Sequence, residues 1–323
     1  MPKRKADRPV VKPKFSRGRH KSGWKIVYKT KYGDAILGNS KSVLEDEAID
    51  DLRGQVQLIF TSPPFPLLKK KSYGNLQGEE YLDWLSSYGP SFKQLLRPDG
   101  SIVIEIGNAW EPGIPAMSTL PTRALLRFLE ANNLHLCQEF ICHNPSRLPT
   151  PAAWVTIRRL RVKDSFTRLW WMSPTPYPKA NNRNVLQEYS EGMKRLLKSR
   201  QYNHGRRPSE HVISATSFLT SNGGAIPPNV FTMANTASND RYQQFCKDHS
   251  VTTHPARMQP PLADFFIKFL TSPGDLVLDP FAGSNTTGAS AEALKRRWVS
   301  IEANPDYLIG SLGRFERLPS LTI

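Results

Sequence analysis

Residues 275–288 read DLVLDPFAGSNTTG. The apolar run DLVLD (275–279) is a buried strand ending in Asp279, and FAGSNTTG (281–288) is a turn of small residues. ASAEALKRR (289–297) continues with a helical pattern, and WVSIE (298–302) is a second strand. Strand, turn, helix and strand in that order make half of a mainly parallel α/β sheet. Gly283 lets the backbone approach a ligand closely, and a helix N-terminus offers free N–H donors. The second strand ends in Glu302, nineteen residues after Gly283. In nucleotide-binding sheets an acid at about that distance accepts hydrogen bonds from ribose hydroxyls. Only Gly283 and Gly288 are present, so the G-x-G-x-x-G pattern that grips a pyrophosphate is missing. The turn favours a nucleoside without phosphate; the alternative is an ordinary β-α-β turn with a satisfied acid.

Working outward, PPLADFFIKFL (260–270) is a helix with Leu262, Phe265, Phe266 and Phe269 on one stripe. Toward the N-terminus, QVQLIFTS (55–62) and SIVIEIG (101–107) are strands separated by a helix over 80–88 and a turn, RPDG, at 97–100. TRALLRFLEANN (122–133) is a further helix, with Leu125, Phe128 and Leu129 inward. The rhythm predicts four sections. Residues 1–31 form a basic flexible arm, 32–143 one half of the α/β domain, 144–253 an inserted irregular module, and 254–323 the ligand-binding half.

The second informative stretch is Thr61-Ser62-Pro63-Pro64-Phe65, directly after the strand QVQLIF. Two prolines fix an extended turn and remove two N–H donors, leaving carbonyls at the sheet's C-terminal edge, where α/β sheets bind ligands. A serine hydroxyl, the Pro63 carbonyl and the Phe65 ring suit a flat base with an exocyclic amino group. The ring stacks on the base while Ser62 and the carbonyl accept the amino protons. Those bonds draw the nitrogen toward tetrahedral geometry and expose its lone pair. Ser62 orients the amine; it is not basic enough to be a general base.

Asp279-Pro280-Phe281-Ala282-Gly283-Ser284-Asn285-Thr286-Thr287 resembles the D-P-F-x-G-S-G-T-T cofactor motif of the S-adenosylmethionine-dependent DNA amino-methyltransferases, with Asn285 in place of a glycine. His254-Pro255-Ala256-Arg257 with Pro260 resembles the family's H-P-A-x-x-P segment, which flanks the methionine end of the cofactor. Ser62-Pro63-Pro64-Phe65 is similar to its D/N/S-P-P-Y/F/W tetrapeptide, and serine in first place is typical of members acting on N4 of cytosine. The order, chemical motif before cofactor motif, matches the circularly permuted β group. The resemblance implies a Rossmann-like, mixed but mainly parallel seven-stranded sheet with S-adenosylmethionine as cofactor. Asp279, Phe281, Gly283, Ser284, Asn285, Thr286, Glu302 and His254 would hold that cofactor. Either Asp34 or Asn39 would meet its adenine, or serve as a turn residue. The module at 144–253 would then recognise double-stranded DNA, with the target cytosine flipped out beside Phe65. Arg158, Arg159, Arg161, Arg183, Arg206 and Arg207 form the pool of base or phosphate contacts. A closer likeness within the family implies the modification partner of a restriction system. Its target would be CAGCTG, shared with an endonuclease that need not touch it, and it would act as a monomer in the bacterial cytoplasm.

Charge and composition agree with a polyanion partner. The 323 residues carry a net charge of +16. Residues 1–31 account for +11 and residues 141–210 for +10, so the remainder is slightly acidic. The aromatic residues Trp154, Trp170, Trp171, Tyr177 and Tyr202 lie among these charges and are expected to meet nucleic acid. No run of apolar residues reaches a membrane span, and no signal peptide is evident. The three cysteines, Cys137, Cys142 and Cys246, suit neither a disulfide framework nor a metal site. None follows a proline, which argues against thiolate attack on a cytosine ring. Two rivals remain at this level: an N6-adenine enzyme with an atypical serine, and a non-catalytic DNA-binding module with a vestigial pocket.

Overall fold

The computed structural model describes residues 23–65, 76–214, 217–234, 239–316 and 320–321. A hairpin of β1 (Lys25–Lys29) and β2 (Gly33–Leu37) leads into the short helix α1 (Ser40–Leu44) and then β3 (Val56–Thr61). Helices α2 (Gly78–Ser86) and α3 (Gly89–Leu95) precede β4 (Leu96–Gly107), and α4 (Leu120–Asn132) precedes the antiparallel pair β5 (His135–His143) and β6 (Phe166–Ser173). Residues Asn181–Pro228 are a separate compact unit with helix α5 (Glu191–Ser199) and the small ladder β7 (Gly205–Arg206) with β8 (Val212–Ile213). The first unit resumes with β9 (Val230–Thr232), α6 (Arg241–Asp248), α7 (Pro260–Leu270), β10 (Leu276–Asp279), α8 (Thr286–Ala293), β11 (Arg297–Glu302), α9 (Pro305–Gly310) and β12 (Ser320–Leu321).

Ten described strands of the first unit share one sheet, ordered β12-β1-β2-β11-β10-β3-β4-β6-β5-β9. From β2 through β4 the neighbours are parallel; β6 runs antiparallel between β4 and β5. The mixed, mainly parallel architecture matches the expectation. The strand number does not: β1, β12 and β9 add edges to the seven anticipated. Side chains of successive strand residues enter opposite layers. Ile59, Leu276, Leu278 and Val299 face Tyr81, Leu85, Phe92 and Phe128 of α2, α3 and α4, with Tyr88 from the α2–α3 junction. Leu58, Phe60, Val277 and Trp298 face Leu262, Phe266, Ile267 and Leu270 of α7. A strand covered on both faces needs a continuous apolar run, and β3 is buried at all six positions.

Three boundaries differ from expectation. Residues 25–29 of the anticipated arm are sheet: Trp24 and Ile26 enter one layer and, past a bulge, Tyr28 enters the other. The rest of the arm, residues 1–22, lies outside the described residues. The separate unit spans 181–228 rather than 144–253, because β6 and β9 extend the main sheet and α6 belongs to the same unit. Trp170 and Trp171 are core residues of β6, 1% and 8% exposed, and do not offer their faces to nucleic acid. The RPDG turn is an excursion inside β4: Leu96 pairs with Val56 and Ser101 with Leu58, so residues 97–100 loop out of register.

Candidate active site

Strands β3 and β10 lie side by side, which brings the two informative stretches to one edge of the sheet. Thr61 Oγ1 donates to Asp279 Oδ1 at 2.7 Å, a bond across 218 residues of sequence. Beyond it opens a cavity of about 300 Å³, including its open mouth, lined by Ser62, His254, Ala256, Met258, Asp279, Phe281 and all of the 282–287 turn but Asn285. The turn is tight: Ala282 N–H bonds Ile301 O, Asn285 N–H bonds Ala282 O, and Gly283 holds a left-handed φ of 52°. A Cβ at Gly283 would stand 3.0 Å from the His254 ring, so only glycine admits that ring. Asn285 is left-handed too, at φ 53°. Its side chain accepts from Gly288 N–H at 3.1 Å and from Ser300 Oγ at 2.6 Å, and donates to the Tyr28 hydroxyl at 2.8 Å. The residue that replaces glycine thus keeps the backbone shape and ties the turn to β1 and β11.

Glu302 ends β11 beside the turn. Oε2 accepts Gly283 N–H at 2.7 Å and Oε1 accepts Asn304 N–H at 2.8 Å. With Ala303 N–H as a third donor, the carboxylate still keeps lone-pair capacity for a hydroxyl. Gly38 N–H bonds Glu302 O, so Asn39, which caps α1 through Ser42 N–H, stands at the same edge. Asp34 does not: it lies back along β2, paired with Val299 and bonded to Lys29 at 3.1 Å. Of the two alternatives, Asn39 is the one whose neighbour Gly38 bonds Glu302. Burial raises Asp279 to about 6, with Thr61 pulling the other way. Burial lowers His254 to about 4, so its ring is neutral at pH 7. Among the described residues no Lys or Arg lines the cavity. Carboxylates, small residues and a neutral ring suit a phosphate-free nucleoside carrying a positive sulfonium, and do not suit a pyrophosphate. The site therefore fits S-adenosylmethionine.

Ser62 has a partner that sequence reasoning missed. Its hydroxyl donates to the Glu105 carboxylate, which also accepts Thr167 Oγ1 at 2.9 Å. Burial pushes the Glu105 carboxyl up, and these two bonds and Arg147 oppose the shift. The signal was present: Glu105 is the one acid in the apolar strand SIVIEIG. Pro63 is buried, and the Phe65 ring rests on Gly107, where an added Cβ would lie 2.7 Å from the ring. Two more supports were not read from sequence. Ser40 Oγ donates to Pro280 O, and Arg314 holds Ser284 through its carbonyl at 2.7 Å and its hydroxyl at 2.9 Å.

The family model described as DNA methylase matches residues 56–310, which include both motifs. The chain belongs to this DNA methylase family. Among its relatives is the type II methyltransferase M.PvuII of Proteus hauseri, 43% identical over 298 residues, 91% of this chain and 86% of that protein. A solved PvuII DNA methyltransferase, described as cytosine-N4-specific, superposes with a TM-score of 0.72 at 37% identity, covering 90% of this chain and 89% of that one. The M1.HpyAVI–SAM complex shares the fold at TM-score 0.52 and 19% identity, over 88% of this chain and all of that one. S-adenosylmethionine is the methylase's cofactor.

The candidate DNA contacts of the methylase fall in two places. Arg158, Arg159 and Arg161 stand exposed on the β5–β6 connection of the first unit. Arg183 and Arg206 are exposed in the 181–228 unit. Arg207 is half-buried there, donates to Asn203 O at 2.6 Å and lies over the Tyr202 ring. Among the described residues no cluster of metal-binding side chains occurs, and no helix is long and apolar enough to cross a membrane.

Proposed function

We propose that the chain transfers a methyl group from S-adenosylmethionine to the exocyclic N4 of a cytosine flipped out of duplex DNA. One observation carries the reading: Ser62, bonded to Glu105, opens onto the cavity that Asp279 and the 281–287 turn enclose. Bound there, the cofactor supplies an electrophilic methyl group on a sulfonium. The residues of the chain do the positioning. Glu302 and Asn39 hold the nucleoside end, and Asp279 balances the positive sulfur. Phe65, seated on Gly107, stacks on the cytosine. Ser62 donates a hydrogen bond to Glu105, which leaves its own lone pairs to accept one from an amino proton; the Pro63 carbonyl accepts the other. As the nitrogen gains the methyl group it sheds a proton, and the path through Ser62 leads to Glu105. A carboxylate whose proton affinity burial has raised is suited to receive it.

The finer reading is that the protein protects DNA as the modification partner of a restriction endonuclease. It acts alone as a monomer in the bacterial cytoplasm, without contact with that endonuclease. The target is the palindrome CAGCTG expected above, methylated on its inner cytosine. Likeness to a type II methyltransferase along nearly the whole chain supports this. Incubation of unmethylated plasmid with the protein and labelled S-adenosylmethionine, followed by nucleoside mass spectrometry and site mapping, tests both levels. N4-methylcytosine is the expected product. N6-methyladenine overturns the base assignment, and N4-methylcytosine at another site overturns only the target.

A further inference from the structure

The β5–β6 connection, residues 144–165, has a composition that phosphate binding alone does not explain. It carries five Lys/Arg against one acid, and that acid, Asp164, accepts a hydrogen bond from Asn108 at 2.9 Å. Between the arginines the chain exposes apolar side chains: Ile157 is 75% and Leu160 52% exposed. They are displayed on an ordered frame. Asn144 N–H bonds Ser165 O, Asp164 N–H bonds Thr150 O, and Leu160 N–H bonds Trp154 O. Lys163 Nζ closes back on Pro145 O at 2.8 Å, and the Arg158 guanidinium covers the Trp154 ring. Arg159, between the two apolar residues, is held at a left-handed φ of 54°.

Its place in the fold is equally specific. Strand β6 is antiparallel to β4, so the connection emerges at the edge where β3 and β4 end. Gly107, which seats Phe65, pairs with Thr167, which bonds Glu105; the loop's Asp164 is held by Asn108, the next residue along. The base of the loop thus adjoins the pocket assigned to the extruded cytosine. Extrusion leaves a gap in the base stack, and apolar side chains inserted between base steps offset the lost stacking.

We propose that this loop is a wedge for duplex DNA, with Ile157 and Leu160 entering the stack at the gap and Arg158, Arg159 and Arg161 gripping the flanking phosphates. The proposal rests on the cytosine reading above. The test uses two duplex oligonucleotides carrying the site mapped on methylated plasmid. In one the target cytosine is paired with guanine; in the other it faces an abasic position. An Ile157→Ala, Leu160→Ala variant should lose about tenfold or more in kcat/KM on the paired duplex and stay within about twofold of the parent on the abasic one, where extrusion costs little. An Ile157→Met, Leu160→Met variant, which keeps apolar bulk, should recover the paired substrate. Equal loss on both duplexes, or no loss on either, overturns the wedge. So does a change in oligomeric state on gel filtration, which would make the loop an interface between copies. A parent protein that methylates neither duplex sinks the cytosine reading itself, and that is a separate result.

Discussion

Ser62 and Glu105 form one device, and its members should fail together. Ser62→Ala is expected to lower kcat about a hundredfold, the usual cost of losing a placed hydrogen-bonding group, while DNA affinity measured by anisotropy stays unchanged. Glu105→Gln should cost a similar factor, and the double variant little more, because both substitutions break the same path. Full single-turnover methylation by Ser62→Ala would remove the role given to it. Asp279 makes a pH prediction. Burial raises it to about 6, so as pH falls through that value the free protein takes up a proton and loses the charge proposed to balance the sulfonium. Calorimetric titration of S-adenosylmethionine from about pH 8 to about pH 5 should show affinity falling, and Asp279→Asn should be weak and flat across the range. A flat profile for the parent protein would disprove it. Ser62, Asp279 and Glu302 were legible in sequence because each stands at the end of a strand or directly after it, beside a turn. Glu105 was not read because a buried acid in a strand looks like an interruption until its partner is seen.

At the scale of elements, the 281–288 turn depends on one unusual residue. Asn285→Gly fits the backbone better, since glycine adopts the left-handed region freely, yet it takes the acceptor from the buried Ser300 hydroxyl and from Gly288 N–H, while Tyr28 keeps its bond to Ser311. Each unsatisfied buried group costs about 1–3 kcal/mol, against about 1 kcal/mol of strain relieved. Thermal unfolding should show a lower midpoint by about 4 °C, and an unchanged or raised midpoint would contradict the account. Helices α2, α4 and α7 and strands β3, β10 and β11 could be read from apolar periodicity, because each buries the face its pattern specifies. Strand β6 could not: TRLWWMS mixes Arg with two Trp inside a basic stretch, and nothing local says that β4 and β5 will cover it on either side. The hairpin strand β1 was hidden in the same way, its Ile26 and Tyr28, and Trp24 just before it, set among lysines.

Across the whole molecule, positive charge is concentrated outside the cavity. The 144–165 connection has five Lys/Arg and the 181–228 unit seven. Removing Arg158, Arg159 and Arg161 together should flatten the plot of log affinity against log salt by about 0.9 for each phosphate the protein no longer neutralises. Anisotropy with a non-specific duplex reads this directly, and an unaltered slope would move the phosphate binding elsewhere. The bond between Thr61 and Asp279 carries a last consequence. Strand β3 leaves the ribosome long before β10, its neighbour in the sheet, has been translated. Until then it offers an unpaired, mostly apolar edge to anything nearby, which is the hazard of late-closing sheets. Nascent chains that stop short of residue 279 lack Asp279 and the turn that follows it, most of the cavity's lining. Methylation therefore begins only when translation has carried the ribosome past that point, and interrupted synthesis yields sticky fragments rather than partial enzymes.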